Sequence, residues 1–211
     1  MDIIAEVCKE AYTEVDEIRC KHLLEVMQSI RDEKIPGDLV ETGVYKGGTS
    51  IIMAWANREY KLNKMQFCFD SFQGCPDPKE TKLGAHKDEA HGKGDFAFSI
   101  EDVIKNFEKF DLQDDPVFIE GWFEDTCPKY AKTIDAIALL RFDGDLYSST
   151  LEVLEALYPK VVKGGYVIID DYCLEACRVA VHEYLDKYKI EVEIRPSTGS
   201  NNGCGSWWRK P

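Results

Sequence analysis

A chain of 211 residues with 44% hydrophobic content is long enough for one domain with a full core. Its 39 acids against 26 lysines and arginines leave a formal net charge of -13, which argues against nucleic acid and against an anionic membrane surface, since both need clustered cations. No apolar run approaches the roughly 18 residues that span a bilayer, and MDIIAEVCKEAYTEVDEIR lacks the basic-then-apolar order of a secretory signal.

Residues 3 to 31 read as helix, with Ile4, Val7, Ala11, Val15 and Ile18 at helical spacing and Leu23, Leu24, Val26 and Met27 following. Residues 1–35 would then form a helical cap outside the alternating core, or an element through which two copies dimerise. After the turn Pro36-Gly37-Asp38 come a short strand, Leu39 to Thr42, a loop, and a helix from Thr49 to Tyr60. A second strand, Met65 to Phe69, ends at Asp70. Residues 73–98, rich in Gly, Pro, Lys, Asp and His, read as a long polar excursion and a lid over a site. Ser99 is placed to cap a helix running to Phe110. The third strand is Pro116 to Ile119, and Glu124 to Lys132 is a short helix. The fourth strand is Ile134 to Phe142 and the next helix runs from Thr150 to Tyr158, with Ser148, Ser149 and Thr150 as its capping group. Gly165 to Ile169 is the fifth strand and Leu174 to Tyr188 the last long helix. Ile190 to Ile194 and Ser206 to Arg209 are closing strands. Strands alternating with helices call for a mostly parallel sheet covered on both faces, with ligands bound beyond the C-terminal strand ends.

The residues that carry chemistry sit at such ends. ETGVYKGGTS, Glu41 to Ser50, leaves the first strand and opens a helix. Gly43 permits the tight exit, and Gly47 and Gly48 allow a ligand close to the backbone. The spacing is neither GxGxxG nor a P-loop. Asp70 ends the second strand, where a carboxylate can accept from ribose hydroxyls. An adenosine ligand without a diphosphate signature favours S-adenosylmethionine over NAD. Trp122 and Phe123 are placed either to stack on a base or to pack in the core.

RFDGDLYSST, Arg141 to Thr150, and the doublet Asp170-Asp171 end two further strands. Asp143 and Asp145, two apart in an extended chain, would point the same way, one toward a metal and one toward substrate. Oxygen ligands imply a hard cation, Mg²⁺. Three close carboxylates without one would raise each other's pKa. The four histidines are scattered: His22 and His182 read as packing or surface residues, while His86 and His91 fall in the lid and could touch substrate. The eight cysteines form no CxxC pair, and several read as small buried hydrophobes. A reducing cytoplasm is the simplest setting.

PGDLVETGVYKGGTS, FCFDSFQG, GWFEDT, RFDGDLYSSTLEVLEALYPKVVKGGYVIIDDY and the terminal WWRK together resemble the macrocin O-methyltransferase (TylF-like) family, from about residue 35 to the C-terminus. The resemblance implies one domain with a class I methyltransferase fold, a Rossmann-like, mostly parallel seven-stranded α/β sheet. It implies Mg²⁺-dependent transfer of a methyl group from S-adenosylmethionine to a sugar hydroxyl, with a deoxyhexose such as rhamnose as acceptor. A catechol or another small vicinal diol is the alternative. Carried over by motif, Asp143, Asp170 and Asp171 are the metal ligands and Asp145 is the general base. Cofactor contacts fall on Glu41, Thr42, Gly43, Tyr45, Gly48, Thr49, Ser50, Asp70, Ser71, Phe72, Ser99, Gly121, Trp122, Phe123 and Asp143. The chain departs from the family beside the first metal Asp, where it has Arg141 and Phe142, and after DDY, where it has Cys173-Leu174-Glu175.

Overall fold

A computed structural model describes residues 1–10, 12–77, 91–197 and 204–211. Ala11, His86 and part of the lid, 78–90, therefore lie outside the described residues. In chain order the elements are α1 (Ile3–Lys9), α2 (Glu17–Asp32), β1 (Asp38–Thr42), α3 (Gly48–Glu59), β2 (Gln66–Asp70), α4 (Ile100–Glu108) and β3 (Pro116–Glu120). There follow α5 (Phe123–Tyr130), β4 (Ile137–Phe142), α6 (Tyr147–Leu157), β5 (Val161–Ile169), α7 (Glu175–Tyr188), β6 (Arg195–Pro196) and β7 (Ser206–Arg209). One seven-stranded sheet has the order β3-β2-β1-β4-β5-β7-β6. The first five strands are parallel, while β7 and β6 close the edge antiparallel. The order reverses between β1 and β4, which opens the crevice where such sheets bind ligands.

Side chains alternate across the strands and feed two cores. Leu39, Leu139, Tyr166 and Ile168 face α1 to α4, whereas Val40, Leu140, Val167 and Ile169 face α5 to α7. Ser99 does cap α4, accepting from the Asp102 N–H at 3.2 Å.

Four local expectations need correction. The N-terminal helix is two helices, because Asp16 caps a new one through the Arg19 N–H at 2.9 Å and the Tyr12 carbonyl is drawn away to the Gly48 N–H at 3.1 Å. The fourth strand starts at Ile137, since the Ile134 N–H is bonded back to Tyr130 at 3.0 Å. Residues 190–194 form no strand: Ile190, Val192 and Ile194 pack against the α5–α7 core without pairing, and only Arg195 and Pro196 join β7, at an edge where proline is tolerated. Leu146, with no side-chain cap, precedes α6, so Ser148, Ser149 and Thr150 lie inside its first turn and do not cap it.

His22 is a core residue, against Trp207 with ring centroids 5.4 Å apart and 3.2 Å from the Ser197 hydroxyl. His182 is bonded to the Tyr172 hydroxyl at 2.8 Å. Cys20, Cys68, Cys75, Cys127 and Cys177 are buried thiols, as small hydrophobes would be. Cys173 and Cys204 form a disulfide, a pairing that the cysteine spacing did not suggest. Among the described residues no helix is long and apolar enough to cross a membrane.

Candidate active site

Over the C-terminal ends of β1, β2, β4 and β5 lies a cavity of about 600 Å³, inside the range of small-molecule sites. Its floor is set by a backbone contact. Gly43, at φ +85°, lies so close to β4 that an added Cβ would stand 1.6 Å from the Asp143 carbonyl oxygen. Only glycine lets β1 end there. The loop after it is pinned by Asp70, whose Oδ2 accepts from the N–H groups of Val44 (2.6 Å) and Tyr45 (3.2 Å) and whose Oδ1 accepts from Phe72 (2.8 Å). Burial pushes the Asp70 carboxyl up, and those three N–H groups pull it back.

Gly43, Tyr45, Thr49, Asp70, Ser71, Gly121, Trp122, Phe123 and Asp143 all line the cavity. The other expected cofactor contacts stand behind its wall. Glu41 is fully buried and bound to Arg141 (2.9 Å) and to the Ser50 hydroxyl. Thr42 is buried below the loop, and Phe72 packs edge-on to Phe118. Gly48 lies against the N-terminal segment, where an added Cβ would stand 2.8 Å from the Tyr12 carbonyl oxygen. The Ser99 hydroxyl is engaged as the α4 cap, outside the lining.

The acids gather at the ends of β4 and β5. Carboxylate oxygens of Asp143, Asp145 and Asp171 come within 4.8 Å of one another. Asp145 reaches the group by a left-handed turn, φ +58°, rather than along an extended chain, and its N–H donates to Asp171 Oδ2 at 3.0 Å. Asp170 stands beside them but faces two guanidiniums, Arg141 at 2.9 Å and Arg19 at 2.5 Å. Arg141, 2% exposed, also holds Glu41 at 2.9 Å and Asp143 at 3.0 Å. Burial opposes its charge, but Asp170, Asp143 and Glu41 outweigh that cost and keep it protonated.

Burial first, then the neighbouring Asp143 and Asp170, pushes the Asp145 carboxyl up to about 8. Burial and Asp143 raise Asp170 to about 6 against the pull of Arg141 and Arg19. Asp171 is raised well above the usual range by burial, Asp143 and Asp145. Two arginines therefore do not neutralise this cluster. All-oxygen donors that raise one another in this way suit a hard divalent cation.

Arg19 and Arg141 carry no site reading in the sequence, whereas His91, expected there as a lid residue able to touch substrate, stands 3.4 Å from Asp145. An arginine inside the apolar strand IALLRF is a readable sign of a buried ion pair. Nothing in the sequence of α2 marks Arg19.

A model of the macrocin-O-methyltransferase (TylF) family matches residues 4–210. The chain belongs to that family. Among its curated relatives, the 8-demethyl-8-(2,3-dimethoxy-alpha-L-rhamnosyl)-tetracenomycin-C 4'-O-methyltransferase of Streptomyces olivaceus is 39% identical over 94% of this chain and 76% of its own length. The demethyldecarbamoylnovobiocin O-methyltransferase of Streptomyces niveus is 42% identical over 87% of this chain and 71% of its own. The solved O-methyltransferase NovP superposes with a TM-score of 0.83 at 37% identity, covering 94% of this chain and 82% of its own. The calicheamicin methyltransferase CalS11 shares the fold, with a TM-score of 0.74 at 24% identity over 90% of this chain and 77% of its own. This TylF-family chain is an O-methyltransferase with an S-adenosylmethionine-dependent methyltransferase fold.

Proposed function

We propose that this TylF-family enzyme moves a methyl group from S-adenosylmethionine to a hydroxyl of a sugar, a deoxyhexose such as rhamnose in a glycan or glycoside, with Mg²⁺. One observation carries the reading: the carboxylates of Asp143, Asp145 and Asp171 converge in the same cavity as the Gly43 loop. The relatives act on rhamnosyl tetracenomycin and demethyldecarbamoylnovobiocin, as their names state, which supports a sugar acceptor.

Gly43, Asp70, Gly121, Trp122 and Phe123 are the residues that would hold the cofactor; Asp143 and Asp171 would hold the cation, with Asp170, whose two oxygens face Arg141 and Arg19, beside them. When bound, the two groups supply an electrophilic methyl on sulfur and a positive charge that acidifies a neighbouring hydroxyl. Asp145 takes the hydroxyl proton on a carboxylate oxygen. A cation held beside it would lower its pKa, so Asp145 would be a weak base that depends on an acidified hydroxyl. Arg141 and Arg19 hold Asp170 in orientation. Tyr45, Trp122 and Phe123 line the cavity and exclude water. In the net reaction oxygen gains the methyl carbon, sulfur loses it, and one proton passes to Asp145.

The deciding experiment offers methyl rhamnoside, nucleotide-linked rhamnose and catechol with cofactor and Mg²⁺, and reads each product for a 14 Da gain by mass spectrometry. Methylation of a rhamnose acceptor is expected. Turnover of catechol alone would favour the other vicinal-diol reading, which the aromatic walls Tyr45, Phe96, Trp122 and Phe123 make worth including.

We further place the enzyme in the cytoplasm, with the acidic surface keeping it off nucleic acid and membrane, and propose that the N-terminal helices, where Ile18 is exposed, pair two copies. Light scattering of the purified enzyme reads the second point. In a reducing cytoplasm the Cys173–Cys204 bridge would stand open as two thiols, and the mass of protein alkylated at harvest reads which form the cell holds.

A further inference from the structure

Between β2 and α4 the chain leaves the sheet and returns through two stretches that grip each other. The Cys75 N–H donates to the Asp95 carbonyl at 2.8 Å and the Gly94 N–H to the Cys75 carbonyl at 2.9 Å. The Gly92 N–H donates to Asp95 Oδ2 at 2.8 Å, and Lys93 pairs with Asp77 at 2.9 Å. Gly74, at φ +82°, lies so close that a Cβ there would stand 2.4 Å from the Asp95 carbonyl oxygen.

This clasp sets His91 over the acidic cluster. His91 Nε2 stands 3.4 Å from Asp145 Oδ1, and its ring lies edge-on to Phe96 at 4.8 Å. Phe96 in turn meets Tyr45 of the glycine loop at 5.7 Å. The backbone of Asp145 is pinned to Asp171, but its carboxylate finds no other side-chain donor among the described residues. Its remaining neighbours include Asp143 and Asp171, which repel it. A carboxylate so placed needs a donor to fix its rotation.

We propose that His91 is a positioning residue: its Nε2–H donates to Asp145 Oδ1 and turns the other carboxylate oxygen toward the acceptor hydroxyl. The distance is long for a hydrogen bond, as is common in catalytic pairs before substrate is bound. The inference rests on Asp145 being the base. It adds that the base is set in place by the stretch of chain that covers the cavity, so that a misplaced clasp would leave Asp145 present but misdirected.

The test compares His91→Leu, which removes the donor, with His91→Gln, which keeps one, using the fastest acceptor of the panel above. His91→Leu is expected to lower kcat by ~10-fold or more, a size typical of lost orientation. KM for S-adenosylmethionine, the Mn²⁺ dissociation constant by calorimetry and the thermal midpoint should stay close to wild type. His91→Gln should recover most of the rate. Equal losses in both variants, no loss in His91→Leu, or a loss confined to KM would overturn the assignment. In an Asp145→Asn background His91→Leu should cost nothing more, because the two act as a unit. Full turnover by Asp145→Asn would instead remove the base itself, a failure distinct from that of His91.

Discussion

Single residues at this site are held by contacts that tolerate little change. Gly43 is the clearest: any side chain must displace the backbone of Asp143, so Gly43→Ala is expected to cost about 2–4 kcal/mol in urea unfolding and to abolish cofactor binding by calorimetry. Asp145→Asn should bind S-adenosylmethionine normally and turn over ~100-fold more slowly, the usual size of general-base loss. His22 gives a stability effect that is separate from catalysis. Burial lowers its pKa from 6.5 to about 4, so between those values the unfolded chain takes a proton that the folded chain refuses. Stability therefore falls as pH drops through that window and flattens below it. From pH 7.5 to pH 4, wild type should lose about 3 kcal/mol more than His22→Gln, read by denaturant melts. The acids were legible because each ends an apolar run, and Gly43 because it follows one. The left-handed turn at Asp145 was not, since aspartate spacing alone suggests an extended chain.

Among the elements, the N-terminal helices contribute more than a cap. Tyr12 and Arg19 both line the cavity, and Arg19 spans from α2 to Asp170 while its Nε is held by Asp16 at 3.0 Å. The break between α1 and α2 that permits this was hidden in the sequence, because apolar residues recur at helical spacing on both sides of it. Residues 190–194 mislead for a related reason: alternating Ile190, Val192 and Ile194 look like a strand, yet their partial burial comes from packing against the core on the α5–α7 face without strand pairing. The Cys173–Cys204 bridge ties the loop after Asp171 to Gly205, whose N–H donates to the Asp170 carbonyl at 2.6 Å. It closes 31 residues of chain, which by loop entropy stabilises the fold by about 4 kcal/mol. Cys204→Ser should lose that amount in urea melts without reductant. Dithiothreitol should lower wild type by the same amount and leave the variant unchanged.

For the whole molecule, the mostly parallel sheet follows from alternating helices and strands, and the site follows from the strand order, because the helices that follow the paired strands β1 and β4 pack on opposite faces at the switch point. Fold and family were therefore legible. What was not is how charges separated by most of the chain meet: Glu41 and Arg141 are partners only because β1 and β4 pair in register at those two residues. Removing divalent cations with EDTA should silence turnover and leave the far-ultraviolet circular dichroism unchanged, and Asp171→Ala should do the same at saturating Mg²⁺. Full activity in EDTA would reject the metal assignment.

The grip between residues 74–77 and 92–95 also has a use in engineering. Because the chain enters and leaves at hydrogen-bonded neighbours, Cys75 and Asp95, the length between them adds nothing to the register of the sheet. A graft of different length between Asp77 and His91 is therefore expected to leave the strands, the glycine loop and the acids in place, provided that the Cys75–Asp95 bonds and the His91–Asp145 contact are kept.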